Sequence, residues 1–332
     1  MKTEAIVFND KNKVTLETVT LPEISDDEVL VDVEYSCISP GTERSCLMGR
    51  FYYGEQQNYS FPFVPGYQHA GRVKAVGRAV SSLQPGDRVF AQFSRFENRA
   101  SKWGGHCSMS LNKEYDVVKL PDGVQTMDAS ALVILQVGYN GGSRPPVEPG
   151  NIAVVFGDGL IGQFVSQTLR SRGAYVVIVG RGNEKRMALA RKYSCDKVIS
   201  MVHQDYIEEI KKMAPNGVKI VVEAVGTSEN FKPAFDLLAH NGHFVLNGFY
   251  PQQNRVDLNP FSIKEITIYN PASIQRDRLE KTISWLAQGK LDVRNLITHV
   301  VKVTEAPNAF HDLILNRKEF SLGVIIDWKE AK

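Results

Sequence analysis

The stretch 151–181, NIAVVFGDGLIGQFVSQTLRSRGAYVVIVGR, leaves the chain few folds to choose from. Its apolar run 152–156 suits a strand buried on both faces. The run leads straight into Gly157-Asp158-Gly159-Leu160-Ile161-Gly162, a G-x-G-x-x-G. A helical pattern follows with Ile161, Val165, Thr168 and Leu169 on one face, Gly173 stops it, and 175–179 reads as a second buried strand. Each glycine answers a separate demand. The first closes a tight turn, the second lets a pyrophosphate approach the backbone, and the third lets helix pack on strand. A pyrophosphate would lie on the helix N-terminus, where N–H groups and the macrodipole favour an anion. Glycines alone would mark only a turn; strand, turn, helix and strand in this order and length mark a dinucleotide site.

The end of the second strand bears on which dinucleotide. NAD-binding units commonly carry an acid there, about 20 residues beyond the glycines, for the adenosine ribose hydroxyls. This chain has Gly180-Arg181-Gly182-Asn183-Glu184-Lys185-Arg186. The strand-end acid is missing, and Arg181 and Lys185 stand ready for a 2′-phosphate, with the Arg fork also suited to an adenine face. The sequence predicts NADP, with NAD as the second choice; a solvated basic loop is the competing reading.

The remainder of the 332 residues must supply a substrate site, and composition narrows the candidates. Net charge is +2 with no basic block, which argues against nucleic-acid or membrane-surface partners. The opening MKTEAIVFND has no apolar signal core, and no apolar run is long enough to cross a bilayer. Four cysteines, Cys37, Cys46, Cys107 and Cys195, are scattered without a C-x-x-C pair, as expected of a reducing cytoplasm.

Residues 1–128 read as short β segments with closely spaced turn signals, beginning with a hairpin turning at 10–12. A helix is expected at 128–141. Beyond the fingerprint the alternation continues: helix 184–193, strand 197–199, helix 205–213, strand 219–223, helix 228–239, strand 244–247 and a sixth strand at 265–269. The fold class is therefore α/β, with 129–270 a doubly wound parallel-sheet Rossmann domain. The tail (helix 277–288, strand 297–303, helix 305–315, strand 322–326) does not extend that sheet. Residues 271–332 are accordingly assigned with 1–128 to a β-rich domain.

This arrangement resembles the medium-chain dehydrogenase/reductase superfamily. The matching marks are Pro65-Gly66-x-x-x-Ala70-Gly71-x-Val73, Gly86-Asp87-Arg88-Val89, Lys119-Leu120-Pro121-Asp122-Gly123 and the glycine fingerprint. Ile38-Ser39-Pro40-Gly41-Thr42-Glu43-Arg44, Pro65-Gly66-Tyr67, Gly248-Phe249-Tyr250 and Ile326-Asp327-Trp328 look closer to a zinc-poor branch, the bacteriochlorophyllide a dehydrogenase type. The resemblance implies a GroES-like catalytic domain, a small-molecule alcohol or ketone substrate of cyclic or polyol type, and a homodimer.

It also implies where chemistry sits. The family's catalytic zinc positions fall on Ser39, Tyr67 and Val133, none of which offers thiolate, imidazole or carboxylate, so no zinc is expected. A displaced site from Cys37, Glu43, His69 and His106 is the alternative. Without a Lewis acid, Tyr67 becomes the first candidate proton donor, with His69 and Glu43 as relay and Ser39 or Gln68 holding the substrate oxygen. Val137 marks where the family lays the nicotinamide, Asn247 and Gly248 where backbone meets the carboxamide, and Ala224 and Val225 the adenosine side. Tyr52, Tyr53, Tyr59 and Phe61 would line an aromatic pocket for a ring system, stack on a sugar or cyclitol face, or simply pack. Two other functions stay open: an NADPH-dependent enoyl or quinone reductase, and a catalytically silent nucleotide-binding protein.

Overall fold

The computed structural model describes residues 1–51, 59–250 and 257–331; Tyr52 and Tyr53 lie outside them. The chain divides into two compact units, Met1–Val133 with Leu279–Ala287 and Leu296–Lys332, and Ile134–Arg278 with Gln288–Asn295.

The first unit is built from β1 (Lys2–Asp10), β2 (Lys13–Thr20), β3 (Glu28–Ile38), β4 (Phe63–Val64), β5 (His69–Val76), β6 (Arg88–Ala91), β7 (Ala100–Ser101), β8 (Met109–Lys113) and β9 (Val117–Lys119). β1 and β2 form the hairpin, with Asn12 at φ 60° in its turn, a conformation Asn tolerates better than most residues. β3 is the spine. It pairs antiparallel with β5 and with β8, and Val29, Val31 and Val33 alternate into one core with Ile6, Phe8 and Phe63.

The second unit carries β10 (Ile152–Phe156), β11 (Tyr175–Gly180), β12 (Lys197–Ser200), β13 (Val218–Glu223), β14 (Leu238–Leu246) and β15 (Thr267–Tyr269). Among the described residues these form one sheet in the order β12-β11-β10-β13-β14-β15, every pair parallel. Their apolar runs follow from burial on both faces. Val154, Phe156, Val177 and Val179 feed one core, while Ala153, Val155, Val176 and Ile178 feed the other. Crossing from β12–β10 outward to β13–β15 makes this the doubly wound α/β arrangement, with its reversal between β10 and β13.

The tail returns to the first unit. β17 (Gly323–Asp327) pairs antiparallel with β3, and β16 (Ile297–Lys302) pairs parallel with β17. Trp328, immediately beyond β17, is fully buried in the first unit's core.

Several elements depart from the sequence expectation. The helix expected at 128–141 is two, Thr126–Ala129 and Leu132–Ser143. The Ser130 hydroxyl donates to Met127 O at 2.7 Å and takes up a carbonyl at the break. The helix expected at 228–239 is a 3-10 turn followed by Phe231–Leu237, and β14 starts at Leu238, six residues early. Leu238 pairs with Val218, and a Cβ on Gly217 would lie 2.6 Å from Ala239 N, so close backbone approach zips this segment onto the sheet. The segment expected to be one helix at 305–315 runs through 3-10, α and π turns in succession, with Pro307 in its first α turn. No helix among the described residues is long and apolar enough to cross a membrane.

Candidate active site

The second unit presents its site at the carboxyl ends of β10, β11, β13 and β14, where doubly wound sheets bind ligands. Beyond Phe156 the chain turns at Gly157 with φ 114°, which an L side chain rarely adopts. A Cβ on Gly162 would stand 2.0 Å from Gly157 O, so helix and turn touch through backbone alone. A Cβ on Gly159, by contrast, would meet nothing within 4 Å. The helix Leu160–Ser171 starts on that open face without a side-chain cap, its first turn anchored by buried Leu160 and half-buried Ile161. An open backbone face at an uncapped twelve-residue helix start is what a pyrophosphate requires, and these residues fit a dinucleotide.

Beyond Gly180, the last residue of β11, Arg181 and Lys185 are exposed. Asn183 caps the next helix, accepting from Arg186 N at 3.0 Å, which fixes the loop carrying Arg181 to the helical turn carrying Lys185. Ala224 N donates to Phe156 O at 2.9 Å, and Val225 is 46 % exposed beside Gly157. Asn247 ties β14 to the neighbouring helix, its Nδ2 donating to Val137 O at 3.3 Å. Gly248 has no room for a side chain, since a Cβ would be 2.3 Å from Gly226 N.

A residue missed in the sequence holds this edge together. Glu223, fully buried at the end of β13, accepts from Val225 N, Gly226 N, Asn230 Nδ2 and Tyr250 Oη at 2.6 to 3.0 Å. Four donors on one carboxylate fix the loops after β13 and β14. An acid at a strand end followed by Gly226 and Gly248 was the available signal.

The first unit collects the expected chemistry around one loop. Ser39 precedes the helix Pro40–Leu47, with Pro40 in its first turn. Glu43, the fourth residue of the helix, reaches back so that its Oε1 accepts from Ser39 N at 2.8 Å and satisfies the backbone donor at the N-cap. Its Oε2 meets His106 Nε2 at 2.7 Å, His106 Nδ1 meets Ser36 Oγ at 2.8 Å, and Trp328 Nε1 donates to Ser36 Oγ at 2.8 Å. Ser36, Glu43, His106 and Trp328 are all fully buried. Trp328 donates to Ser36, whose hydroxyl is then free to donate to His106 Nδ1, an arrangement that leaves a His106 Nε2–H facing the Glu43 carboxylate.

Tyr67 joins this group. The Ser39 and Thr42 side chains stand near its hydroxyl, and its ring meets Trp103 edge-on at 5.1 Å. The preceding Gly66 packs on His106, whose Cγ would lie 2.6 Å from a Cβ there. Burial pushes the Tyr67 phenol well above its ordinary range; the Ser39 and Thr42 side chains oppose this, and the Glu43 charge adds to it. The phenol is therefore held neutral.

His69 is not brought into the group. Its Nε2 bonds Ser110 Oγ at 2.7 Å, its Nδ1 has no partner, and burial pushes it down to about 3. Gln68 is a structural tie, with Nε2 donating to Cys37 O and Oε1 accepting from Val133 N. Instead of His69, the imidazole joined to Glu43 is His106. Tyr59 and Phe61 pack in T-shaped and tilted contacts against Phe63 in the core.

These residues do not fit a zinc ion. Ser39, Tyr67 and Val133 lack the donor types, Glu43 and His106 are spent on each other, and burial pushes the Cys37 thiol away from the thiolate form. Among the described residues no group of three His, Cys, Asp or Glu is placed to hold a metal.

Comparison with known proteins bears on both units. A family model described as Alcohol dehydrogenase GroES-like domain matches residues 25–143, and one described as Zinc-binding dehydrogenase matches 161–288. The sorbitol dehydrogenase of Bacillus subtilis (strain 168) is 27% identical over 343 residues, covering 95% of each chain. The zinc-type alcohol dehydrogenase-like protein YdjJ of Escherichia coli (strain K12) is 25% identical over 354 residues, covering 98% of this chain and 99% of its own. Among solved structures, a zinc-binding dehydrogenase from Sinorhizobium meliloti 1021 bound to NADP superposes with a TM-score of 0.86. It has 20% identity and covers 98% of this chain and 99% of its own.

Proposed function

We propose that the chain, which matches the alcohol dehydrogenase GroES-like and zinc-binding dehydrogenase models, is a medium-chain dehydrogenase/reductase that interconverts a secondary alcohol and a ketone with a nicotinamide dinucleotide and without zinc. The observation that carries the reading is Tyr67, a phenol kept neutral by burial beside Ser39 and Thr42, at the position that the resemblance gives to a metal ligand. Sorbitol dehydrogenase among the relatives supports a polyol or cyclic polyol as the substrate class. NADP is the favoured cofactor, supported by Arg181 and Lys185 at the adenosine end and by the NADP-bound neighbour. A homodimer is proposed on the family's pattern.

The nicotinamide, when bound, supplies or accepts the hydride. The chain's part is position and proton supply. Gly157, Gly159 and Gly162 seat the pyrophosphate, and Val137, Asn247 and Gly248 form the border for the nicotinamide end. Tyr67 donates its phenolic proton to the oxygen that becomes negative as the ketone is reduced. Ser39 and Thr42 orient that hydroxyl, and Glu43 fixes the loop through Ser39 N while His106 fixes Glu43.

A nicotinamide absorbance assay on matched panels of polyols, ketoses, enones and quinones tests the reading. Turnover confined to the alcohol and ketone panels is expected. Turnover confined to enones or quinones would make the chain an alkene or quinone reductase, and none on any panel would leave it a nucleotide-binding protein.

A further inference from the structure

Asp158, between the first two fingerprint glycines, is 6 % exposed and is not used by the account above. Its Oδ1 lies 3.4 Å from Arg186 Nη1. Its Oδ2 is buried and has no hydrogen-bond partner among the described residues. A buried carboxylate oxygen left unpaired is costly, so a donor arriving with a ligand is the natural complement.

Its location says which donor. Gly180 ends β11, the place where an NAD-binding unit carries its ribose-binding acid. A Cβ on Gly180 would lie 2.7 Å from Asp158 Oδ2. The volume that a strand-end side chain would fill is thus occupied by a carboxylate from the glycine loop, and only glycine at 180 leaves it room.

We infer that Asp158 is the residue that recognises the adenosine ribose, its Oδ2 accepting a hydroxyl proton in place of the missing strand-end acid. The inference rests on the dinucleotide reading proposed above. It changes the expected cofactor choice. A carboxylate at this point binds a free 2′-hydroxyl and repels a 2′-phosphate, whereas Arg181 and Lys185 attract the phosphate. Arg186 partly neutralises Asp158. Opposed groups at one subsite keep NAD usable and narrow the preference for NADP.

Fluorescence titration with NADH and with NADPH, without substrate, measures this directly on the parent, D158N and G180A. D158N is nearly isosteric and removes the charge. G180A leaves the acid in place and pushes a methyl against it. Both variants should lose NADH affinity by roughly 10- to 100-fold while NADPH affinity holds or rises. Unchanged NADH binding in D158N, or equal losses for both cofactors, would overturn the inference and leave Asp158 as a partner of Arg186 only. A parent protein that binds neither cofactor would overturn the dinucleotide reading itself, and the inference with it.

Discussion

The proposed function gives Tyr67 and Arg181 one chemical job each, and each can be altered at a single group. Tyr67→Phe removes only the hydroxyl and should lower kcat for ketone reduction by roughly 100- to 10,000-fold while cofactor affinity stays put. Turnover within a few-fold of the parent would make Tyr67 a pocket wall. Because burial raises the phenol's pKa, its donor form persists to alkaline pH. The reductive kcat should therefore show no loss from phenol ionisation between about pH 6 and about pH 9. A fall with a midpoint inside that window would contradict a buried neutral donor. Arg181→Asp replaces a forked donor with a second carboxylate near Asp158 and should weaken NADPH by roughly 10-fold or more relative to NADH in a direct binding titration. An unchanged ratio would show Arg181 pointing to solvent.

Elements decide what was legible beforehand. The β10–helix–β11 unit was readable because its determinants are local: two apolar runs, three glycines and one amphipathic face within thirty-one residues. Gly162→Ala tests its tightest contact. A methyl 2.0 Å from Gly157 O forces turn and helix apart, so dinucleotide affinity should fall by at least about 10-fold. Parent-like binding would show that the turn relaxes without cost. The start of β14 at Leu238 was not legible, because helical periodicity there yields to pairing with Val218, twenty positions earlier. The ribose acid was illegible for a related reason: it moved from the strand end into the loop, where a positional rule does not look. At the start of β3, buried Glu28 accepts from Arg95 Nε at 2.8 Å and Arg95 Nη2 at 2.7 Å. The Arg95 hydrogen bonds, against the cost of burial and aided by Ser25, hold its carboxyl down at about 2. A depressed carboxylate stabilises the fold fully above its ordinary 4.5 and loses that contribution as pH falls toward about 2. Glu28→Gln should cost about 1 kcal/mol at neutral pH in urea unfolding, limited by the half-exposed Arg95, and the gap should close toward pH 2. A gap of equal size at both ends would contradict the assignment.

The whole molecule is where distant sequence meets. Ser36, Glu43, His106 and Trp328 form one buried chain of hydrogen bonds although they span nearly the full length of the protein, and no spacing rule connects them. Sequence reading named Tyr67, Ser39 and Glu43 by resemblance and added His69 as a relay, whereas the imidazole that the structure sets against Glu43 is His106. Assembly also belongs to this scale. Among the described residues β15 is the outer strand of its sheet, and Ile268 on it is 40 % exposed, which makes this edge the place to test the proposed dimer. Sedimentation should give twice the chain mass, and Ile268→Lys should shift it toward the single chain; a parent that sediments as one chain would contradict the proposed dimer. The central claim is that a phenol replaces a metal in alcohol–ketone chemistry. It is tested most directly by measuring zinc content and ketone-reducing activity on one sample dialysed against a strong chelator. The account predicts activity within about two-fold of the undialysed protein at well under about one zinc per chain. Activity that disappears with the metal, and returns when about one zinc per chain is restored, would contradict it.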